Sequence, residues 1–479
     1  MSKISLIGRE KEISRLNEAL ASNESELISV IGRRRVGKTF LIESVFAEKM
    51  DFAITGIQKA SKKEQLENFV ASINLFAKTP ILVAAPKSWL EAFRLLMLLL
   101  EGQHAKQKKV IFFDELPWLV SHRSGFLKAF DFFWNSWAVK NNVVVVICGS
   151  AASWMIKKVV NNKGGLHNRI TKRIKLKPFT LNETEQFLQH RNLKLDRYQL
   201  AELYMVTGGI PHYLKEVKRG ESIAQNIDRM CFDPSTGILF DEFAQLYPAL
   251  FDEAENHIAI VRALALRSLG LTRKEIIKIT GITNGGGLTK TLEELQLSDF
   301  ISEYSPFGKK KRETLYRLTD EYSLFYLKFI EPLKKEGTSV WESYRKTSAY
   351  KTWSGYAFEN LCLKHITPIK KTLGISGIFS NQASFYSKGK DGMQGCQIDL
   401  VIDRDDNVVN VCEVKFSNTE YIITKTYAND LRRKTALFKH YTKTKKQIFL
   451  TLISTYGLLP NQHSISVVDR ELKLDALFE

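Results

Sequence analysis

The sequence predicts an α/β chain of several domains, and three observations support this fold class. The chain has 479 residues, which at about 100–200 residues per domain indicates three or four domains. Three short apolar, β-branched runs near the beginning read as buried strands of one parallel sheet. After residue 350 the composition changes, and a new set of strand patterns begins.

Composition excludes several classes. The longest apolar run, residues 95–100, is far shorter than the ~18 residues of a membrane-spanning helix, and the start lacks a signal sequence. Five scattered cysteines without a CxxC pair exclude a disulfide scaffold and argue against structural zinc. The formal charge of +18 favours a polyanionic partner or an anionic membrane surface. We expect a cytoplasmic protein without a membrane segment.

The strongest pattern follows the predicted strand 26–31. A GxxxxGK[ST] loop comes next, and FLIESVFAEK after it reads as an amphipathic helix. Backbone N–H groups of such a loop curl around phosphate oxygens, and the helix N-terminus adds its positive dipole. The alternative is a chance glycine-rich turn. The expected nucleotide-binding residues are Gly32, Arg33, Arg34, Arg35, Val36, Gly37, Lys38 and Thr39. Lys38 would reach the β- and γ-phosphates, and Thr39 would ligate Mg²⁺.

A second motif supports the nucleotide site. The predicted strand 109–113 closes on Asp114 and Glu115, which is the Walker B pattern. Asp114 would hold Mg²⁺, and Glu115 would act as the general base on the attacking water. Because the two motifs stand in the required order, we interpret the site as one that hydrolyses ATP.

Three further residues are candidates with equally simple alternatives. Ser150 follows the predicted strand 142–148 and would sense the γ-phosphate, or it caps the next helix. Arg169 would neutralise transition-state charge in its own or a neighbouring subunit, or it is an ordinary solvated arginine. Pro211, in the turn TGGIP, would pack on the adenine ring, or it only starts a helix.

Together, the segments GREKE, GRRRVGKT, FFDELPWL, CGSA and TGGIPHYL resemble the archaeal-type AAA/STAND-like ATPases over about residues 6–220. The resemblance implies a RecA-like P-loop ATPase core over 1–175, a helical lid over 176–245, and ATP as the nucleotide. It leaves open whether the protein self-associates, and no arginine finger can be placed with certainty.

The middle of the chain predicts a winged helix-turn-helix over residues 250–330. Two helices, one capped by Thr272, are joined at Gly281, and a β-hairpin follows. Lys290 and the run at 309–312 would contact DNA phosphates. Winged helices in such ATPases also serve as intramolecular lids, and Glu293 and Glu294 would oppose deep entry into a groove.

A polar connector is expected over 331–350, and residues 351–479 carry a second set of chemical groups. A predicted hairpin places Asp399 on one strand and Glu413 and Lys415 on the next, with Glu413 and Lys415 on the same face. Asp399 and Glu413 would bind Mg²⁺, with Mn²⁺ as an alternative, and Lys415 would orient the nucleophile. Glu359 would add a further carboxylate. A structural ion-pair cluster is the alternative.

This arrangement, together with the helix GYAFENLC, resembles the PD-(D/E)XK nuclease superfamily and the DUF234-like tail of these ATPases. The resemblance implies a C-terminal α/β/α restriction-endonuclease-like domain acting on DNA. A following basic helix, 425–441, would bind a nucleic-acid backbone or simply be solvated.

The expected function is therefore an ATPase coupled to DNA binding and Mg²⁺-dependent DNA cleavage. Two alternatives remain at this stage. In the first, the protein is a STAND-like signalling switch whose C-terminal domain docks a protein. In the second, it is a DNA-binding regulator that does not cleave DNA.

Overall fold

The computed structural model describes residues 6–77, 85–101, 108–121, 124–160, 168–308, 313–334, 341–389 and 394–479. The chain divides into two compact units, Met1–Pro178 and Phe179–Glu479. Within the described residues, no helix combines the length and the apolar character needed to cross a membrane.

The first unit alternates strands and helices, as its apolar runs predict. Its elements are α1 (Glu10–Ala21), β1 (Glu26–Ile31), α2 (Lys38–Phe46), β2 (Met50–Thr55), α3 (Lys62–Phe76), α4 (Trp89–Glu101), β3 (Lys109–Asp114), α5 (Leu116–Leu119), α6 (Phe126–Ser136), β4 (Val143–Gly149), α7 (Ala152–Met155) and β5 (Lys172–Lys175).

These strands form one parallel sheet in the order β2-β3-β4-β1-β5. Strands β1 and β4 are buried along their whole length, which explains why they read as continuous apolar runs. Phe52, Phe93, Phe113 and Phe130 belong to the core that packs α3, α4 and α6 on one face. Because all strands are parallel, the segments after β1, β3 and β4 meet at one edge.

The second unit begins with helices and continues through a small sheet. Its first elements are α8 (Leu181–His190), α9 (Arg197–Thr207), α10 (Pro211–Leu214), α11 (Ile223–Phe232), α12 (Glu242–Leu246), α13 (Glu255–Ala265), β6 (Leu271–Thr272), α14 (Arg273–Thr280), α15 (Gly286–Leu297), β7 (Ile301–Tyr304) and β8 (Leu315–Leu318).

Local sequence chemistry sets several of these boundaries. Thr272 accepts a hydrogen bond from the Glu275 backbone and so begins α14 with a capping box, and Gly281 ends that helix in a left-handed conformation. Strands β6, β8 and β7 form an antiparallel sheet in that order. The helices and the hairpin predicted for 250–330 are present, but the basic run at 309–312 lies outside the described residues.

The remaining elements form a helical connection and a mixed sheet. They are α16 (Glu321–Phe325), α17 (Glu331–Leu333), α18 (Trp341–Tyr344), α19 (Ser348–Lys364), α20 (Ile366–Thr372), β9 (Ser380–Ser387), β10 (Cys396–Arg404), β11 (Val408–Lys415), α21 (Lys425–Thr442), β12 (Gln447–Ser454), α22 (Gln462–Ile465) and β13 (Arg470–Lys473).

The expectation of a polar connector over 331–350 is wrong for its described part. Leu333 and Trp341 are buried, and the Trp341 ring packs against Phe325, Phe329 and Trp353. Helix α19 begins seven residues before the predicted GYAFENLC segment, with Thr347 as its N-cap. Aromatic burial therefore makes this segment part of the core of the second unit.

The C-terminal sheet has the order β13-β12-β11-β10-β9. Strands β9, β10 and β11 are antiparallel neighbours, whereas β12 is parallel to both β11 and β13. Val401 and Val411 pack with α21, while Cys412 on the alternate face lies near Cys362 of α19. One helix therefore covers each face of this sheet.

Candidate functional sites

The loop between β1 and α2 has the backbone of a phosphate cradle. Gly37 adopts a left-handed conformation (φ 89°) directly before α2, which a side chain would strain. A Cβ on Gly32 would lie 2.3 Å from the Leu176 carbonyl oxygen, so glycine is also required there. Lys38 Nζ donates to the carbonyl oxygens of Gly32 and Arg33, each at 3.0 Å. The ammonium group is thus held inside the loop.

The Walker B residues lie beside this loop. Thr39 Oγ1 donates to Asp114 Oδ2 at 2.8 Å. Hydroxyl and carboxylate oxygens are the ligands that Mg²⁺ prefers, so these two groups fit a nucleotide-bound Mg²⁺. Glu115, in a left-handed conformation (φ 46°), accepts hydrogen bonds from the Ser150 backbone N–H and hydroxyl at 3.0 and 2.9 Å. The three strand ends therefore meet as the parallel topology predicts.

Some of the other candidate nucleotide-binding residues lie at the loop, and others lie away from it. The Ser150 hydroxyl bonds to Glu115, so the alternative of a helix cap is wrong, and α7 begins after Ala151 without a side-chain cap. Arg34 and Arg35 are half-buried in the loop, while Arg33 and Val36 are buried. Arg169 is exposed, and the glycines before it lie outside the described residues. Pro211 belongs to the second unit, where it starts α10 after two left-handed glycines.

The second cluster lies in a pocket of about 490 Å³ within the Phe179–Glu479 unit. The β10–β11 register pairs Leu400 with Cys412, directly beside Asp399 and Glu413, and both carboxylates line the pocket. Asp399, Glu413 and Lys415 line this pocket together with Glu359 of α19. The pocket therefore combines the four C-terminal residues that the sequence singled out.

Each carboxylate of the pocket has a partner within the chain. Glu413, 1% exposed at its side chain, accepts from Lys434 Nζ at 2.7 Å and from the Tyr427 hydroxyl at 3.1 Å, and Lys415 Nζ lies 3.7 Å away. The N–H of Val414 donates to Asp399 Oδ2 at 3.2 Å.

The electrostatics of the pocket reflect crowded carboxylates. Burial, followed by the charges of Glu359 and Glu413, raises the pKa of Asp399 to about 8. Burial also raises the pKa of Glu359, although Arg317 opposes this shift. A bound cation would relieve this repulsion, so the donor set suits a hard divalent ion. Within the described residues, however, no group of three or more acidic, histidine or cysteine side chains is already arranged as a metal site.

The sequence interpretation missed two contributions to this pocket. Arg317, on β8, donates to Glu359 Oε2 and to the Tyr356 hydroxyl, both at 3.2 Å. A charged residue inside the apolar run LYRL was the available signal, because such a side chain is rarely buried unless paired. Lys434 was noted only as a candidate phosphate contact on a basic helix, whereas its ammonium group bonds Glu413.

A parallel five-stranded sheet whose strand ends bring together a GxxxxGKT loop and an Asp-Glu pair defines a P-loop ATPase domain. Residues 6–217 match the model of a family described as an ATPase domain predominantly from Archaea. Over residues 6–217 the chain is thus similar to an archaeal ATPase family, and its first unit has the fold and motifs of a P-loop ATPase domain within an α/β chain of several domains.

Matches outside the family model extend over more of the chain. The uncharacterized protein MJECL04 of Methanocaldococcus jannaschii is 25% identical over 454 residues, covering 92% of this chain and 96% of that protein. Among solved structures, the Walker-type ATPase PABY2304 of Pyrococcus abyssi is 20% identical, with a TM-score of 0.49 over 67% of this chain and 96% of that chain. The ORC2 protein of Aeropyrum pernix is 14% identical, with a TM-score of 0.40 over 70% and 95%.

Proposed function

We propose that this protein is an ATPase whose second unit binds DNA and hydrolyses its phosphodiester bonds at the C-terminal pocket. The observation that carries the proposal is the convergence of Glu359, Asp399, Glu413 and Lys415 on one pocket. A buried carboxylate such as Asp399, whose pKa is raised by burial and by neighbouring carboxylates, is unfavourable unless a cation or a reaction uses it.

The proposed cleavage assigns a role to each group. Asp399 and Glu413 would hold Mg²⁺ or Mn²⁺, which supplies an activated water and screens the phosphate charge when bound. Lys415 would orient that water toward phosphorus, and Glu359 would provide a further oxygen ligand or accept a proton. Water adds to phosphorus, one P–O ester bond breaks, and the leaving oxygen takes a proton.

At the nucleotide site, the proposed mechanism uses the strand ends. Lys38 would leave the loop carbonyls to contact the β- and γ-phosphates, and Thr39 and Asp114 would hold Mg²⁺. Glu115 would polarise the attacking water, and Ser150 would report on the γ-phosphate through its bond to Glu115. Arg169 keeps its proposed role as a charge-neutralising residue.

The helices and hairpin of residues 255–318 support the proposed DNA contact. Glu294 is bonded to His257 Nε2 at 3.0 Å and is 14% exposed at its side chain, so its charge is partly withdrawn from the surface of α15. Lys290 on the same helix is 69% exposed, and its ammonium group lies 3.9 Å from Glu294, so in the proposed complex it would exchange this exposed pairing for a phosphate contact. A winged helix used in this way would bring DNA to the second unit.

The test is cleavage of supercoiled and linear DNA with Mg²⁺ or Mn²⁺, with and without ATP. Asp399→Asn should abolish cleavage, whereas Asp403→Asn is the matched control. Asp403 lies on the same strand but pairs with Lys446 at 2.7 Å and does not line the pocket. Lys38→Ala shows whether ATP controls the reaction. The proposal fails if wild type leaves DNA intact in every condition while it hydrolyses ATP.

One observation favours a second candidate, a DNA-binding regulator without cleavage. Lys434 already neutralises Glu413 at 2.7 Å, as an ion pair in a structural cluster would. This function predicts binding with a steep salt dependence, no strand scission, and an unchanged affinity in Asp399→Asn.

A further inference from the structure

Gly355 lies in the interior of the 17-residue helix α19, where glycine is unfavourable. It costs about 0.5–1 kcal/mol relative to alanine at such a position. Its φ is not positive, and an added Cβ would meet no heavy atom within 4 Å. Neither the backbone conformation nor the packing of the chain therefore requires glycine here.

Gly355 lies at the pocket, so the absence of a side chain there affects the space available to a ligand. Lys351, Gly355 and Glu359 are spaced four residues apart, so they form one row along α19, and all three line the 490 Å³ pocket. Lys351 is exposed at one end of the row, and Glu359 is half-buried at the other. The row thus runs from a cation, across a gap, to the carboxylate cluster.

The lining of the pocket selects the ligand class. Ammonium groups of Lys351, Lys415 and Lys434 share the pocket with the carboxylates, and few apolar side chains line it. An apolar ligand would remove water from these charged groups without offering them a hydrogen bond. A chain of phosphodiesters matches both signs of charge, since its phosphates contact lysines and its divalent ions contact carboxylates.

We propose that a DNA strand enters the pocket across α19 at Gly355, where the missing Cβ lets its sugar-phosphate backbone approach the helix, and that Lys351 contacts a flanking phosphate. The proposal rests on the proposed DNA-acting function, but it concerns binding rather than cleavage. Larger side chains at position 355 would block the strand without disturbing the fold.

The experiment measures fluorescence anisotropy of a labelled single-stranded oligonucleotide, with Ca²⁺ replacing Mg²⁺ to suppress cleavage, beside thermal unfolding of each variant. Gly355→Ala should raise the unfolding temperature because it improves helix propensity, yet weaken binding about threefold. Gly355→Leu should weaken binding about tenfold or more. Gly377→Leu is the matched control, since an added Cβ there is also free of contacts but lies outside the pocket.

A Gly355→Ala variant that is more stable but binds more weakly would support the proposal. If the glycine had only a structural role, the more stable variant would not bind more weakly. Lys351→Ala should weaken binding about threefold and lower the salt slope by about one. Wild-type binding in Gly355→Leu, or equal weakening in Gly377→Leu, would overturn the proposal. If wild type binds the oligonucleotide but never cleaves DNA, the proposed cleavage fails, and the Gly355 result still decides this inference.

Discussion

The nucleotide site and the C-terminal pocket both bring carboxylates together, at strand ends in the first and on α19, β10 and β11 in the second, but these carboxylates have different partners. At the nucleotide site, Asp114 and Glu115 are hydrogen-bonded by the small hydroxyl groups of Thr39 and Ser150. In the pocket, Glu413 and Glu359 are paired with the cations Lys434 and Arg317. The first site has uncharged partners, and the second has its own counter-ions.

This difference predicts how each site meets a metal ion. A hydroxyl partner can remain beside an incoming Mg²⁺, because it carries no charge and offers an oxygen ligand. A lysine or arginine must instead be displaced or tolerated, since its charge repels the ion. The geometry of the nucleotide site thus fits Mg²⁺ with ATP, whereas a metal ion in the pocket would have to compete with an internal ion pair.

The largest expected effect concerns Glu115. Glu115→Gln should lower ATP hydrolysis about 100- to 1000-fold because it removes the proposed general base, while ATP binding persists. Steady-state phosphate release and binding of a fluorescent ATP analogue separate the two effects. Ser150→Ala leaves the carboxylate in place and should change the rate by less than about tenfold. Wild-type hydrolysis in Glu115→Gln would contradict the role of this site.

Next in size is the stability effect of the buried counter-ion Arg317. Arg317→Met leaves Glu359 without its cation, so the free energy of unfolding of the second unit should fall by about 3 kcal/mol. Arg262→Met is the matched control, since Arg262 bonds Glu331 through two nitrogens on an exposed surface and should change stability by less than about 1 kcal/mol. Urea denaturation followed by circular dichroism measures both. Equal losses would show that burial does not distinguish these pairs.

A comparable effect should appear in the acid stability of the second unit. His365 Nε2 accepts from the Leu181 N–H at 3.0 Å, and burial lowers the pKa of His365 to about 4 from its ordinary 6.5, with Lys364 acting in the same direction and Glu183 opposing. In the unfolded chain His365 therefore becomes protonated below pH 6.5, whereas in the native state it stays neutral down to about pH 4. The contribution of neutral His365 to stability is complete above pH 6.5 and should fall by up to about 3 kcal/mol as the pH drops to 4.

The matched variant for this prediction is His365→Gln, which keeps an acceptor near the Leu181 N–H but does not titrate. Its unfolding midpoint should depend less on pH between 6.5 and 4 than that of wild type. His257, whose pKa is also lowered by burial, stays present in both proteins and so cancels in the comparison. Parallel pH curves for the two proteins would contradict the assignment.

The nucleotide site was more predictable from sequence than the pocket, for a physical reason. Its residues are local: one loop and the ends of two buried strands set the positions of Lys38, Asp114 and Ser150, and parallel topology brings them together. The pocket depends on long-range partners. Alternation along one strand placed Glu413 and Lys415 on the same face, whereas Arg317 reaches Glu359 from a strand 42 residues away. Alternation within a strand says nothing about such a contact.

The contrast between local and long-range contacts also explains why the prediction of a polar connector over residues 331–350 was wrong. Polar and charged residues together form most of that stretch, yet its few aromatic residues decide its structure, since Trp341 is completely buried. Composition averages over a segment, while burial depends on single side chains. Capping, in contrast, was correctly predicted at Thr272 because the partner Glu275 lies only three residues away.

The smallest expected effect tests the comparison most directly. Lys434→Met removes the internal counter-ion of Glu413, so the pocket should bind Mn²⁺ about tenfold more tightly, as measured by calorimetric titration without nucleotide. Lys446→Met is the matched control, because Lys446 pairs with Asp403 at the same 2.7 Å distance but outside the pocket, and it should leave the affinity unchanged. An increase confined to Lys434→Met would mean that the lysine and the metal compete for one carboxylate. Unchanged affinity in both variants would remove Glu413 from the metal-binding residues and leave the cluster as a structural ion pair.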